Sequence, residues 1–188
     1  MALTPMVITA RMVKKDKPNA RICFIGPCAA KKLEANRRSV RSDVDFVLTF
    51  EELLGMFEAK EIDFATIEPG PDDNMDEGSG LGRGFAVGGG VAAAVVEAIK
   101  HIDPDREINI EYGDGLKECR KMLAMAKAGK RDGYLLEGMA CPGGCVAGAG
   151  TIRPIRESVA NVGRFKDAAG EQSCTTSPFL NRLEDVQE

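Results

Sequence analysis

Two cysteines stand four residues apart in the stretch EGMACPGGCVAGAG, Glu137 to Gly150, on a frame made largely of glycine and alanine with one proline. Thiolates are ligands for soft metals and for iron-sulfur clusters. Gly143 and Gly144 lie between the two thiols, and glycine permits the positive φ that lets backbone amides approach a bulky anion closely. Amide hydrogen bonds to sulfur are one of the ways a protein tunes a cluster. The small residues after Cys145 leave room for an inorganic group. Dithiol-disulfide chemistry of the thioredoxin type uses C-x-x-C, which this is not. Two other readings stay open on the residues alone. One is a glycine-rich turn whose cysteines are buried incidentally, as free cysteine often is. The other is a closed four-coordinate zinc site. The C-x3-C spacing and the single histidine argue against zinc, and Cys23, Cys119 or Cys174 would have to complete the set.

A third thiol sits in GPCAAKKLE, Gly26 to Glu34. The plain reading is a strand end running into a solvated helix, which is what most Lys-Lys pairs are. The sharper one is that Lys31 leans into a site containing Cys28, where its ammonium would stabilise negative charge.

Composition narrows the partners. The chain has 188 residues, 44% of them apolar, and a net charge of −4, with acids and bases interspersed. That is enough for one substantial core, and it leaves neither a basic footprint for nucleic acid nor a polybasic membrane patch. No apolar run is long enough to span a bilayer, and MALTPMVITARMVKKDK lacks the pattern of a signal peptide. The expectation is a cytoplasmic protein whose six cysteines stay reduced, with no nucleic acid or membrane as partner.

The elements that would hold these thiols can be read from periodicity. ARICFIGP, Ala20 to Pro27, reads as a buried strand stopped by Gly-Pro, and AAKKLEANRR as helix. Phe46 to Leu48 reads as strand. Thr49 with Glu52 makes a capping box that starts a helix over Phe50 to Ala59, with Phe50, Leu53, Leu54 and Phe57 on one face. Glu68 to Gly84 is polar and rich in glycine and proline, so a long surface loop is expected. Val91, Val95, Ile99 and Ile102 then mark one stripe of a helix that Asp103-Pro104 ends, with His101 at the carboxyl end, where the dipole favours a cation. EINIEYGDG reads as strand. Leu116, Cys119, Met122, Leu123 and Ala126 mark one side of the next helix, and GYLLEGMA reads as a final strand. The order argues for an α/β fold with largely parallel sheets flanked by helices, in one domain spanning 1–188 with a tail from 166. Cys28 follows the first strand, and Cys141 and Cys145 follow the last. Ligand sites in open α/β sheets gather beyond strand carboxyl ends, so the three thiols are expected on one rim.

Taken together, PCAAKKLEA, DFVLTFEELLGMFE, GSGLGRGFAVGGGVAAAV and EGMACPGGCVAGAG, in this order, resemble the C-terminal part of the catalytic domain of iron-only (FeFe) hydrogenases. The resemblance runs from Thr4 to about Pro154. It implies a fold of two α/β lobes and an H-cluster, a 4Fe-4S cubane held by four cysteines and bridged by one of them to a two-iron subcluster. By motif position, Cys28, Cys141 and Cys145 would hold the cubane, with Cys145 as the bridge. Pro27, Gly143 and Gly144 would shape the cofactor pocket, Lys31 and Met139 would lie against the two-iron centre, and Glu34 would partner Lys31. The implied activity is reversible oxidation of H2 to protons and electrons, exchanged with a ferredoxin-like donor or an N-terminal iron-sulfur domain.

The chain also departs from that pattern. The family's first signature, an adjacent Cys-Cys pair before a proline that supplies the fourth cubane ligand, is absent from this sequence. Nor is there a repeated C-x2-C-x2-C run of the ferredoxin type. With three ligands of four, the isolated chain is expected to be inactive and not fully loaded, an apo state included. Gly26 stands where catalytic members carry methionine, a trait of divergent sensory-type subgroups. The alternative implied is a non-catalytic 4Fe-4S sensory or interaction module. Cys23 and Cys119 are expected in the core, and Cys174 as a surface thiol in the tail.

Overall fold

The computed structural model describes residues 3–68, 70 and 78–182. It is a mixed α/β structure of short parallel sheets flanked by helices, as the element order predicted, and it divides into two compact units. The first comprises Met1–Gly70, Ala149–Ile152 and Pro178–Glu188, and the second Pro71–Gly148 and Arg153–Ser177.

The first unit contains α1 (Pro5–Asp16), β1 (Cys23–Ile25), α2 (Ala30–Ala35), β2 (Phe46–Leu48) and α3 (Phe50–Ala59). Helix α1 was not anticipated. Pro5 suits a first helical turn, and Met6, Val7 and Ala10 recur at helical spacing, so one face can be buried. These three join Ala35, Val40 and Val44 in the core, with Leu3, Ile22, Phe24 and Val47 packed against them. β1 and β2 pair in parallel, Phe24 opposite Val47. Asp45 locks their start by accepting from the Ile22 amide at 2.8 Å and from Arg21 and Lys14. The capping box is present: the Glu52 amide donates to Thr49 Oγ1 and the Thr49 amide donates to the Glu52 carboxylate.

β1 is not the buried strand expected. Cys23 is exposed, which corrects its placement in the core, and Ile25 is 44% exposed. In a sheet of two strands each strand keeps one unpaired edge, so neither strand is flanked by neighbours on both sides among the described residues.

The second unit contains α4 (Gly80–Arg83), a 3₁₀ turn at Gly84–Ala86, α5 (Gly90–Ile102), β3 (Asn109–Asp114), α6 (Leu116–Lys127), β4 (Tyr134–Met139), a 3₁₀ turn at Cys145–Ala147 and α7 (Ile155–Asp167). Another 3₁₀ turn, Cys174–Thr176, holds a half-buried Cys174. The loop expected from Glu68 falls partly on residues 69 and 71–77, outside those described. Its end is helical rather than loop, because the Ser79 hydroxyl caps α4 by accepting from the Gly82 amide. β3 and β4 pair in parallel, with Gly113 opposite Gly138 and Asp114 opposite Met139. That glycine pair is where α6 closes onto the sheet: a Cβ on Gly113 would lie 2.9 Å from Cys119 Cα, and one on Gly138 would lie 3.2 Å from Cys119 Sγ.

Two apolar stripes bury differently from the sequence reading. In α5 the buried residues are Ala92 and Ala94, while Ile102 is 82% exposed. Small side chains let the start of α5 pack closely beside β4, and Ile102 sits in the last turn just before Asp103 ends the helix. In α6, Met122 is buried while Leu116 and Leu123 are exposed. Helix α7, absent from the sequence reading, runs two residues into the segment expected as a tail.

Candidate functional site

Cys28 lies three residues past the carboxyl end of β1, half-buried, and its carbonyl accepts from the Lys31 amide as α2 begins. The ladder is extended just before it: the Gly26 amide donates to the Leu48 carbonyl at 3.0 Å, and the Gly150 amide donates to the Pro27 carbonyl at 3.0 Å. The residue before Cys28 is therefore hydrogen-bonded to a residue that follows Cys145 by five positions in sequence. A Cβ on Gly26 would meet the Phe24 ring at 2.9 Å, so this position is shaped for hydrogen.

The two lysines of the motif separate cleanly. Lys32 turns to the Val47 carbonyl and the Glu52 carboxylate, tying α2 to β2 and α3. Lys31 donates to Glu34 Oε2, and the hydroxyl of Thr4 donates to Glu34 Oε1. Both Lys31 and Glu34 are largely covered. Burial alone would raise the Glu34 carboxyl, but the bonds from Lys31 and Thr4 outweigh it and hold the group below its ordinary value. A carboxylate with a depressed folded-state pKa stabilises fully above its unfolded pKa, and the stabilisation is lost as pH falls through the folded value. Glu34→Gln is accordingly expected to destabilise at neutral pH, with the gap from wild type narrowing below the ordinary glutamate range. Urea unfolding of both proteins across that range checks it; a gap independent of pH would mean the carboxylate charge contributes nothing.

In the second unit the turn Cys141-Pro-Gly-Gly-Cys145 follows β4 by one residue, and all of it lies past the strand's carboxyl end. Gly143 and Gly144 both have φ of +94°. Both of their amides are engaged within the protein: Gly143 N–H donates to Asp114 Oδ1 at 2.8 Å, and Gly144 N–H to the Cys141 carbonyl at 2.9 Å. The Gly88 amide donates to the Gly143 carbonyl at 3.2 Å. Gly144 is packed so tightly that a Cβ would come within 2.6 Å of the Gly88 nitrogen and 2.8 Å of the Ala86 carbonyl oxygen. Cys141 and Cys145 are half-buried, and no disulfide joins any of the six cysteines.

Beside this turn is an open cleft of about 500 Å³, lined by Tyr112, Asp114, Glu137, Met139, Gly143 and Val159 among others. Its floor is fixed by Glu137, a buried carboxylate that accepts from the Gly89 and Ala92 amides at 2.7 and 2.6 Å and so binds β4 to the amino end of α5. Cys119 borders the same strands without entering the turn; its thiol donates to the Gly113 and Met139 carbonyls.

Thr4, Asp114 and Glu137 were not singled out from sequence. Glu137 stands inside the cysteine motif itself. Asp114 becomes visible only through the register of two strands, which places it opposite Met139, 25 residues further on.

The comparisons with known proteins give these features a family. A family model described as "Iron only hydrogenase large subunit, C-terminal domain" matches residues 1–149. The chain belongs to that family. Among hydrogenase relatives, the periplasmic [Fe] hydrogenase large subunit of Nitratidesulfovibrio vulgaris is 32% identical over 181 residues, covering 80% of this chain and 42% of its own length. A cytosolic iron-sulfur assembly component 3 from Pongo abelii is 23% identical over 197 residues, covering 84% of this chain and 41% of its own. The fold matches a variant of the apo [FeFe]-hydrogenase from Chlamydomonas reinhardtii with a TM-score of 0.67 at 20% identity, covering 97% of this chain and 64% of that one. The hydrogenase-family chain thus spans less than half of the length of these two curated relatives.

For an iron-sulfur group, the donor set fits in kind: the motif cysteines are thiols on glycine-flanked turns past strand ends. It falls short in number. Cys28 lies in the first unit and Cys141 and Cys145 in the second, and among the described residues no three His, Cys, Asp or Glu side chains form a ready-made metal group. Among the described residues, no helix is long and apolar enough to cross a membrane.

Proposed function

We propose that this chain, acting as one functional domain, is part of the H-cluster domain of a cytoplasmic FeFe hydrogenase that interconverts H2 with protons and electrons. Cys28, Cys141 and Cys145 would be thiolate ligands of a 4Fe-4S cubane, and a fourth thiolate would come from outside the motifs present in this chain. When bound, the cubane and its two-iron partner would supply the redox chemistry, with electrons passed to a ferredoxin-like carrier or an N-terminal iron-sulfur domain. The chain's own residues do the rest. The Pro27 carbonyl, bonded to Gly150, fixes the approach to Cys28. Lys31 holds a cation at the start of α2, and Glu34 with Thr4 restricts where its ammonium points. Gly143 and Gly144 set the backbone between the two thiols, and Met139 lines the apolar side of the cleft.

The observation that carries this reading is the Cys141 to Cys145 turn, with both glycines at positive φ, lying inside the residues matched by the hydrogenase family model. A second reading has support of its own: a relative named as an iron-sulfur assembly component is of similar extent, and a side chain at Gly26 would require the Phe24 ring to move. In that reading the chain holds a plain 4Fe-4S cluster without catalysis. Infrared spectroscopy of the protein produced with hydrogenase maturation factors separates the two. Carbonyl and cyanide stretching bands are the expected result; cubane absorption with no such bands would favour the non-catalytic module.

A further inference from the structure

The glycine amides of a cluster-binding turn are ordinarily the groups that face the inorganic sulfur, yet here one is held by a side chain. Asp114, the last residue of β3, accepts the Gly143 N–H at 2.8 Å. The strand register puts Asp114 opposite Met139, so the carboxylate leaves its own strand at the level where β4 gives way to the cysteine turn. The contacts around it point the same way. The Gly115 amide donates to the Met139 carbonyl at 2.8 Å, a Cβ on Gly115 would lie 3.4 Å from Pro142 Cγ, and the Gly143 carbonyl accepts from Gly88. Segments 113–115 and 86–88 thus grip the turn from two sides. To these backbone contacts Asp114 adds a bond from a side chain.

We infer that Asp114 is a positioning residue for Cys141 and Cys145: its carboxylate oxygen, as a hydrogen-bond acceptor, holds the Gly143 peptide and through it the separation and direction of the two thiols. The acceptor does this, and the negative charge is incidental. The contact is made between protein groups alone, so labelling without metal can report it. The inference deepens the cluster reading and rests on it for the purpose of the turn, while the contact itself stands without it.

The test uses the full chain as Asp114→Ala, which removes the acceptor, and Asp114→Asn, which keeps an oxygen acceptor and removes the charge. Iodoacetamide labelling of each cysteine, followed by mass spectrometry without added metal, reads the turn directly. Asp114→Ala is expected to speed labelling of Cys141 and Cys145 by roughly fivefold, the factor for losing one ordinary hydrogen bond. Asp114→Asn is expected to restore most of the wild-type rate. Cys119, held by the Gly113 and Met139 carbonyls on the same strands, is expected to keep its rate in both variants and so reports whether β3 and β4 remain folded. Unchanged labelling in Asp114→Ala overturns the inference. So does Asp114→Asn behaving like alanine, because that would make charge the operative property, and so does Cys119 accelerating by the same factor, because that would be general unfolding. Iron uptake during anaerobic reconstitution is measured alongside. A wild-type chain that takes up no iron would remove the cluster reading and leave the labelling result to decide Asp114 by itself.

Discussion

Gly144→Ala is expected to be the most destabilising single-atom addition in the cysteine turn. Two independent penalties act at this position. The backbone is at φ of +94°, where an L side chain is strained, and the added Cβ would lie 2.6 Å from the Gly88 nitrogen, 2.8 Å from the Ala86 carbonyl oxygen and 2.9 Å from the Val87 carbonyl carbon. All three neighbours are backbone, so no rotamer change relieves the contact. Strain of this kind costs about 1–3 kcal/mol and overpacking a further ~1–3 kcal/mol. Gly133 supplies the control. It has φ of +78° and nothing within 4 Å of where an added methyl would sit, so Gly133→Ala carries the conformational cost alone, about 1–2 kcal/mol. Urea unfolding should rank Gly144→Ala clearly below Gly133→Ala. Equal losses would mean that the segment 86–88 does not press on the turn.

The second large effect concerns the thiols themselves. After anaerobic reconstitution with iron and sulfide, Cys28→Ser, Cys141→Ser and Cys145→Ser should each lose most of the iron that wild type retains, because a hard hydroxyl replaces a soft thiolate donor. Cys23→Ser should retain wild-type iron: Cys23 is exposed on β1 and outside every motif. Cys119→Ser should do so too, since its thiol is engaged by two carbonyls. A loss confined to the two second-unit cysteines would assign the metal to that unit alone and remove Cys28 from the ligand set. Equal retention in all variants would show adventitious iron.

How far the sequence foretold the structure depends on where each element gets its stability. Local signals were reliable. The capping box Thr49 to Glu52 and the apolar residues behind it gave α3 its observed bounds, because both ends of that signal lie within a few residues of each other. The same is true of Phe46–Leu48 and of the Asp103-Pro104 stop after α5. Burial was less legible. Ile102 and Leu123 match a helical stripe, but burial needs a partner surface, and the contacting faces of α5 and α6 are set by Ala92, Ala94, Cys119 and the glycine pair Gly113 and Gly138. Periodicity weighs large apolar residues; close packing here is made by small ones. For α1, Met6, Val7 and Ala10 form too narrow a stripe to stand out beside Thr9 and Arg11. In the candidate site, the thiols stood out by type and spacing, while Lys31 drew its role from the family resemblance. Asp114, Glu137 and Thr4 act across the fold, 29, 45 and 30 residues from a partner, and no local pattern encodes such pairings.

Cys28, Cys141 and Cys145 are proposed to ligate one and the same cluster. Thiol footprinting tests it: the reconstituted full chain and its chelator-stripped form are alkylated side by side, and each cysteine is quantified. Protection of Cys28, Cys141 and Cys145 to the same extent, in proportion to bound iron and reversed by chelation, with Cys23 labelled throughout, is the predicted result. Cys28 labelling as fast in the loaded protein as in the stripped one would contradict it.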